Sequence, residues 1–297
     1  MNYSKQALSF ADQVAMLKSR GLTIQDDNLA IEYLKSISYF RIVGYLRPME
    51  ADKINHIYKR GSSFENALSL YKFDTTLRSI VFKAIQDIEI AVRTKIIHYF
   101  SLTSGPFWFM EKKCADKPGL FAKNLNNIDE EVVRSKEEFI KEHFQKYSYP
   151  TLPPAWKTLE VLSFGTLSKL YLNYSDKKTK KIIARELGLP QHVFLESWMR
   201  SLAVLRNFCA HHARLWNRNF PFQPQMPQRL SGKWVNTSGL QLTKIYPQLC
   251  VLAYLLNQFQ NSCSFTNDLK DLLAKYSNVD TAAMGFPKGW QNEPLWK

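Results

Sequence analysis

Within six residues, Arg206-Asn207-Phe208-Cys209-Ala210-His211 sets a guanidinium, an amide and an imidazole. An imidazole can take up or release a proton at physiological pH. A guanidinium makes planar, bidentate contacts to phosphate and stabilises negative charge developing there. In RNA the 2′-hydroxyl is an internal nucleophile that DNA lacks. Histidine and arginine together can activate that hydroxyl and stabilise a pentacovalent phosphate without a metal. The products would be a 2′,3′-cyclic phosphate and a 5′-hydroxyl. The candidate catalytic residues are therefore Arg206 and His211, with Asn207 placed to orient either one.

The element that must position them is a helix, expected from about Gln191 to Trp216. At about 100° per residue, Trp198, Leu202, Leu205, Cys209, His212 and Trp216 fall on one side, which should face a core. Asn207, His211, Arg214 and Arg218 fall on another. This projection favours His211 over His212 and makes Arg214, Arg218 and His212 supporting or RNA-binding candidates. Arg206 lies about 140° from His211 on an ideal helix. A second copy of the helix, supplied across a two-fold homodimer, would complete a cleft that one straight face cannot. The Arg-x4-His spacing alone is a weak signal, and a non-catalytic RNA-binding or interhelical cluster is the alternative.

An earlier long helical pattern carries a second polar set. Asp74, Arg78, Glu89 and Arg93 share one face amid Leu70, Phe73, Leu77, Val81, Ile85, Ile88 and Val92. They form either two i,i+4 ion pairs, each contributing about 0.3 kcal/mol when exposed, or the wall of the cleft opposite Arg206 and His211. Other chemistry is poorly represented. No Walker-type loop, Rossmann glycine pattern, HExxH or GxSxG occurs. Cys114, Cys209, Cys250 and Cys263 are scattered without a CxxC pair, so neither a metal site nor a cofactor is expected, and a reducing, cytoplasmic setting fits.

The wider chain reads as mainly helical. An amphipathic helix is expected over Ser4–Arg20 and a second one capped by Asp27. The pair reads as an αα-hairpin, with a DNA-reading helix-turn-helix as the minor alternative. Ser62 and Glu65 match a capping box at the start of the long helix, which should run almost to Phe100 with a kink or break. Cys114 to Asp129 reads as loop, Glu131 to Gln145 as helix. Lys177, Lys178, Lys180, Lys181 and Arg185 form the densest basic run, expected either to contact a polyanion or simply to be solvated. Further helices are expected over Leu240–Gln258 and Thr266–Tyr276. No apolar stretch is long enough for a membrane span. Forty Lys and Arg against 26 Asp and Glu leave a net charge of +14, which favours polyanionic partners.

These segments resemble the Abi-like family of bacterial abortive-infection proteins, the AbiD and AbiF type, within the wider HEPN group. The stretch from Arg206 to Arg218 is the most specific part. Tyr39-Phe40-Arg41 with Gly44-Tyr45-Leu46, Asp74 to Arg93, Ser163-Phe164-Gly165-Thr166-Leu167-Ser168 and Gly285-Phe286-Pro287 also look like family features. The resemblance implies an all-α, HEPN-like helical bundle with additional N-terminal and C-terminal helices. The expected organisation is an N-terminal helical region over 1–60, a core over 61–262 with an insertion near 105–150, and a C-terminal helix with an aromatic tail over 263–297. It further implies anti-phage defence and RNA cleavage by the arginine and histidine of an Arg-x4-6-His motif in a dimeric cleft. Here that motif maps to Arg206 and His211, with Asn207 as the polar residue after the arginine. RNA, as substrate or as a small regulatory partner, is the implied ligand.

Overall fold

The computed structural model describes residues 6–259 and 264–297. The fold is all-α. Two short antiparallel strands form the whole of its sheet among the described residues. Two compact units emerge, Met1–Leu77 with Asp271–Val279, and Arg78–Lys270 with Asp280–Lys297. The expected division at 262–263 and the expected helical residues Ser4 and Lys5 lie outside the described residues, as does Cys263.

The first unit begins with α1 (Phe10–Ser19), α2 (Asp27–Ile37) and α3 (Tyr39–Leu46). The Ser9 hydroxyl caps α1 by accepting from the Asp12 N–H at 3.1 Å. Asp26, rather than the expected Asp27, caps α2 by accepting from the Leu29 N–H at 3.0 Å. The turn between α1 and α2 is tied down. The Thr23 N–H donates to Ser62 O at 3.0 Å, and the Phe64 N–H donates to Thr23 O at 2.9 Å. The pair is thus an αα-hairpin with a pinned connection. Strands β1 (Glu50–Asp52) and β2 (Ile57–Tyr58) follow. Helix α4 (Phe64–Ser104) then begins. Its cap is Ser63, whose hydroxyl accepts from the Asn66 N–H at 3.1 Å. The expected Ser62–Glu65 box does not form, because Glu65 accepts from the Gln25 N–H instead. Phe73 and Leu77 are fully buried, and the fully buried Asp74 accepts from the Tyr45 hydroxyl at 2.7 Å.

The second unit takes its spine from the rest of α4. Val81, Ile85, Ile88, Val92, Ile96 and Phe100 recur every three or four residues and are fully buried. No break interrupts the assigned helix, which runs from Phe64 to Ser104. The segment expected as loop is α5 (Pro118–Arg134). Pro118 sits in its first turn, where proline lacks only an N–H that would be unpaired anyway. Next come α6 (Glu138–Lys146), α7 (Ala155–Thr158), α8 (Phe164–Asn173), α9 (Lys177–Glu186) and α10 (His192–Ala210). Ser163 caps α8, and Glu131 accepts from both its N–H and its hydroxyl. Asp176 caps α9. Lys180, in the basic run of α9, points inward. It is buried, its Nζ lies 2.7 Å from Glu196 Oε1, and it donates to Leu172 O at 2.9 Å.

Helix α11 (Tyr246–Leu256) is buried along its whole length, as expected of a helix apolar on all sides. Helix α12 (Phe265–Lys275) is the last. Gly188 ends the α9 turn at φ 69°. A Cβ there would collide with the Tyr254 hydroxyl, which donates to Gly188 O at 2.8 Å. The aromatic tail is anchored, with Trp296 buried and its Nε1 donating to the Tyr246 hydroxyl at 3.0 Å.

Candidate functional site

The inner face of α10 follows the sequence pattern. Trp198, Leu202, Leu205 and Cys209 are buried at alternating spacings of four and three. The helix nevertheless stops at Ala210 instead of running to Trp216. Local backbone bonding accounts for the end. The His212 N–H donates to Cys209 O at 3.0 Å and the Ala213 N–H donates to Phe208 O at 2.8 Å. His212 between them holds φ 55°. This is the Schellman pattern, in which one left-handed residue reverses the chain and satisfies the last carbonyls. The apolar repeat continues past this point because Leu215 and Trp216 are also buried, but they reach the interior through a turn. The Trp216 Nε1 donates to Asp280 O at 3.3 Å.

Several expectations change with that helix end. Asn207 and His211 still share a stripe, and the His211 N–H donates to Asn207 O at 2.9 Å. Arg214 and Arg218 leave the stripe, because they lie beyond the reversal. His212 was expected toward the core and is exposed instead, as are His211 and Asn207. The helical ground for separating the two imidazoles is therefore lost. They stand next to each other, exposed, at one helix end.

Three guanidiniums of this unit lie over phenyl rings. Arg206 Cζ is 5.7 Å from the ring centre of Phe82 on α4. Arg218 Cζ is 4.5 Å from that of Phe208, and Arg200 Cζ is 3.9 Å from that of Phe222. Such cation–π contacts stabilise by about 0.5–1 kcal/mol at exposed sites and leave the guanidinium edge available. Among the described residues no ion pair engages any of the three. Three cations held on rings without a carboxylate partner are suited to an anion. Arg200 was missed by extending the polar stripe forward from Asn207. Extended backward, the same spacing runs His211, Asn207, Val204, Arg200.

The polar set on α4 is placed differently. Arg93 is buried, its Nη2 lying 2.6 Å from Glu89 Oε1 and donating to Leu162 O at 2.8 Å. Glu89 and Arg93 are thus committed to each other and to the turn before α8. Arg78 is buried as well. Phe82 lies four residues after Arg78 and seven before Glu89, hence on their face of α4. Arg206 over Phe82 therefore meets the α4 face that carries Arg78 and Glu89. Glu89 makes no hydrogen bond or ion pair to Arg206 or His211 among the described residues.

Cys209 and Cys250 are buried and in no disulfide, and burial pushes the Cys250 thiol far up. No group of three or more His, Cys, Asp or Glu side chains is arranged to hold a metal ion among the described residues. No helix among them is long and apolar enough to cross a membrane.

Residues 32–217 match the protein family described as Abi-like protein. The match covers more than half of the chain and includes the α4 polar face, the Arg206–His211 segment and the helix end. Neither a curated protein nor a solved structure matches the chain. The chain belongs to the Abi-like family of abortive-infection proteins.

Proposed function

We propose that this protein is a metal-independent endoribonuclease of an abortive-infection system against bacteriophage, acting in the cytoplasm as a homodimer. The observation that carries the reading is the helix end itself. It exposes His211 beside Asn207, while Arg206, one turn earlier, is laid on Phe82 with no carboxylate partner. In this mechanism His211 takes the 2′-hydroxyl proton. The 2′-oxygen attacks phosphorus, and the bond from phosphorus to the 5′-oxygen breaks. Arg206 stabilises the charge on the pentacovalent phosphate. The leaving 5′-oxygen takes a proton from an imidazolium supplied by a second copy of the chain. Asn207 orients the reacting groups, and Arg214, Arg218 and His212 support the bound RNA. Arg78, Glu89 and Arg93 hold the α4 wall.

Incubating the purified protein with mixed RNAs in chelator, followed by end-group analysis, tests the reading. Wild type should yield 2′,3′-cyclic phosphates. His211→Ala should keep its fold and lose about 100-fold or more of the cleavage rate. Equal cleavage by wild type and His211→Ala would sink the assignment. RNA binding without cleavage, weakened by Arg206→Ala, would instead support a non-catalytic RNA-binding regulator or scaffold.

A further inference from the structure

Arg200 is the exposed member of the three ring-stacked arginines, and its platform is fixed with unusual care. The carbonyl of Phe222 accepts from the Ser201 hydroxyl at 3.2 Å and from Gln248 Nε2 at 3.4 Å. Ser201 and Gln248 are themselves buried and bonded to each other at 3.0 Å. Three residues on, Gln225 accepts at its carbonyl from Trp198 Nε1 at 2.7 Å and donates its N–H to the Ser197 hydroxyl at 2.9 Å. The loop that presents the Phe222 ring is therefore bolted to α10 on both sides of Arg200. The Arg200 Cζ lies over that ring, 3.9 Å from its centre, and the residue is exposed. No ion pair or hydrogen bond holds it among the described residues.

We infer that Arg200 on Phe222 is a second RNA subsite, one that stacks an unpaired nucleobase on the free face of the guanidinium. The inference rests on the ribonuclease reading above and adds a substrate class, single-stranded RNA. Bases in a duplex already use both faces in stacking, whereas unstacked bases settle on aromatic rings and guanidinium planes. Position supports the assignment. Arg200, Asn207 and His211 lie on one stripe of α10, with Arg200 eleven residues before His211. That is about 16 Å along the helix axis. A strand stacked at ~3.4 Å per nucleotide covers this in about five nucleotides. A strand with its scissile phosphate at His211 thus reaches Arg200 only when it is longer than a few nucleotides.

The test compares a trinucleotide with a decanucleotide, using wild type, Arg200→Ala, Arg200→Lys and Phe222→Ala. Binding of a 2′-O-methyl decanucleotide, which cannot be cleaved, is measured alongside. Arg200→Ala should raise the decanucleotide KM, and weaken 2′-O-methyl decanucleotide binding, by about tenfold. It should leave kcat and trinucleotide cleavage unchanged. Arg200→Lys keeps the charge but not the plane, so it should not restore binding. Phe222→Ala should resemble Arg200→Ala. Unchanged decanucleotide binding by Arg200→Ala overturns the subsite while leaving the His211 assignment standing. Equal losses for both lengths, or a fall in kcat, make Arg200 a structural residue and also overturn it. If wild type cleaves nothing, loss of 2′-O-methyl decanucleotide binding in Arg200→Ala still supports the subsite, and only the ribonuclease reading falls. If wild type neither binds nor cleaves, both fall.

Discussion

His212 occupies a backbone position that glycine fills most easily. At φ 55° an L-residue brings its Cβ close to the following carbonyl, at a cost of about 1–2 kcal/mol. His212→Gly should therefore stabilise the protein by about 1 kcal/mol. A higher urea midpoint at unchanged slope would show it. No gain, or a loss, would mean that the imidazole contributes as much as the backbone loses. At this scale the sequence was informative about types and poor about directions. The shared exposed stripe of Asn207 and His211 was legible, because the helical projection set both on a side away from the apolar face. The orientation of His212 was not, because nothing in its side chain announces a left-handed residue. The Arg200–Phe222 pair joins residues twenty-two apart through a loop, and helical periodicity does not report such contacts.

Helix α9 shows how an element can reverse the sense of a charge run. Lys180 shares its face with the buried Ile183, Ala184 and Leu187, three, four and seven residues on. Burial pulls its ammonium below the ordinary lysine value, and the hydrogen bond and charge of Glu196 oppose that shift. Removing one partner of a buried pair strands the other, at a cost of about 3–5 kcal/mol. Lys180→Ala should accordingly destabilise by about 3 kcal/mol. Combining Lys180→Met with Glu196→Leu should recover much of the loss. A double-mutant cycle on unfolding midpoints checks this, and additive losses would show that the pair does not couple. The helical class and most helices were legible, because apolar residues recur at spacings of three and four. Ends were harder. Lys117-Pro118-Gly119 looked like a loop because proline breaks helix interiors, yet Pro118 opens α5. The α10 pattern seemed to continue because Leu215 and Trp216 are buried by a turn rather than by further helix.

For the molecule as a whole, acid stability follows from two histidines. Burial lowers the His143 imidazole below its ordinary 6.5, assisted by Lys157. Burial likewise lowers that of His192, where Lys180, Lys181 and Lys177 act in the same direction and Glu196 opposes them. Between each lowered folded value and 6.5, the unfolded chain binds a proton that the folded chain does not. Stability therefore rises with pH through that window and falls as pH drops below about 6.5. The unfolding midpoint should decline as pH falls through and below about 6.5. It should decline less in a His143→Gln, His192→Gln protein, and an equal decline would assign acid sensitivity to carboxylates. The reversal at His212 also has an evolutionary side. It turns the chain back so that the segment after it lies along α10, and one continuous stretch from Trp198 to Gln225 encodes both ends of the exposed stripe and the Phe222 platform. Drift or recombination within that short stretch of gene can retune what the surface grips without touching the fully buried α11.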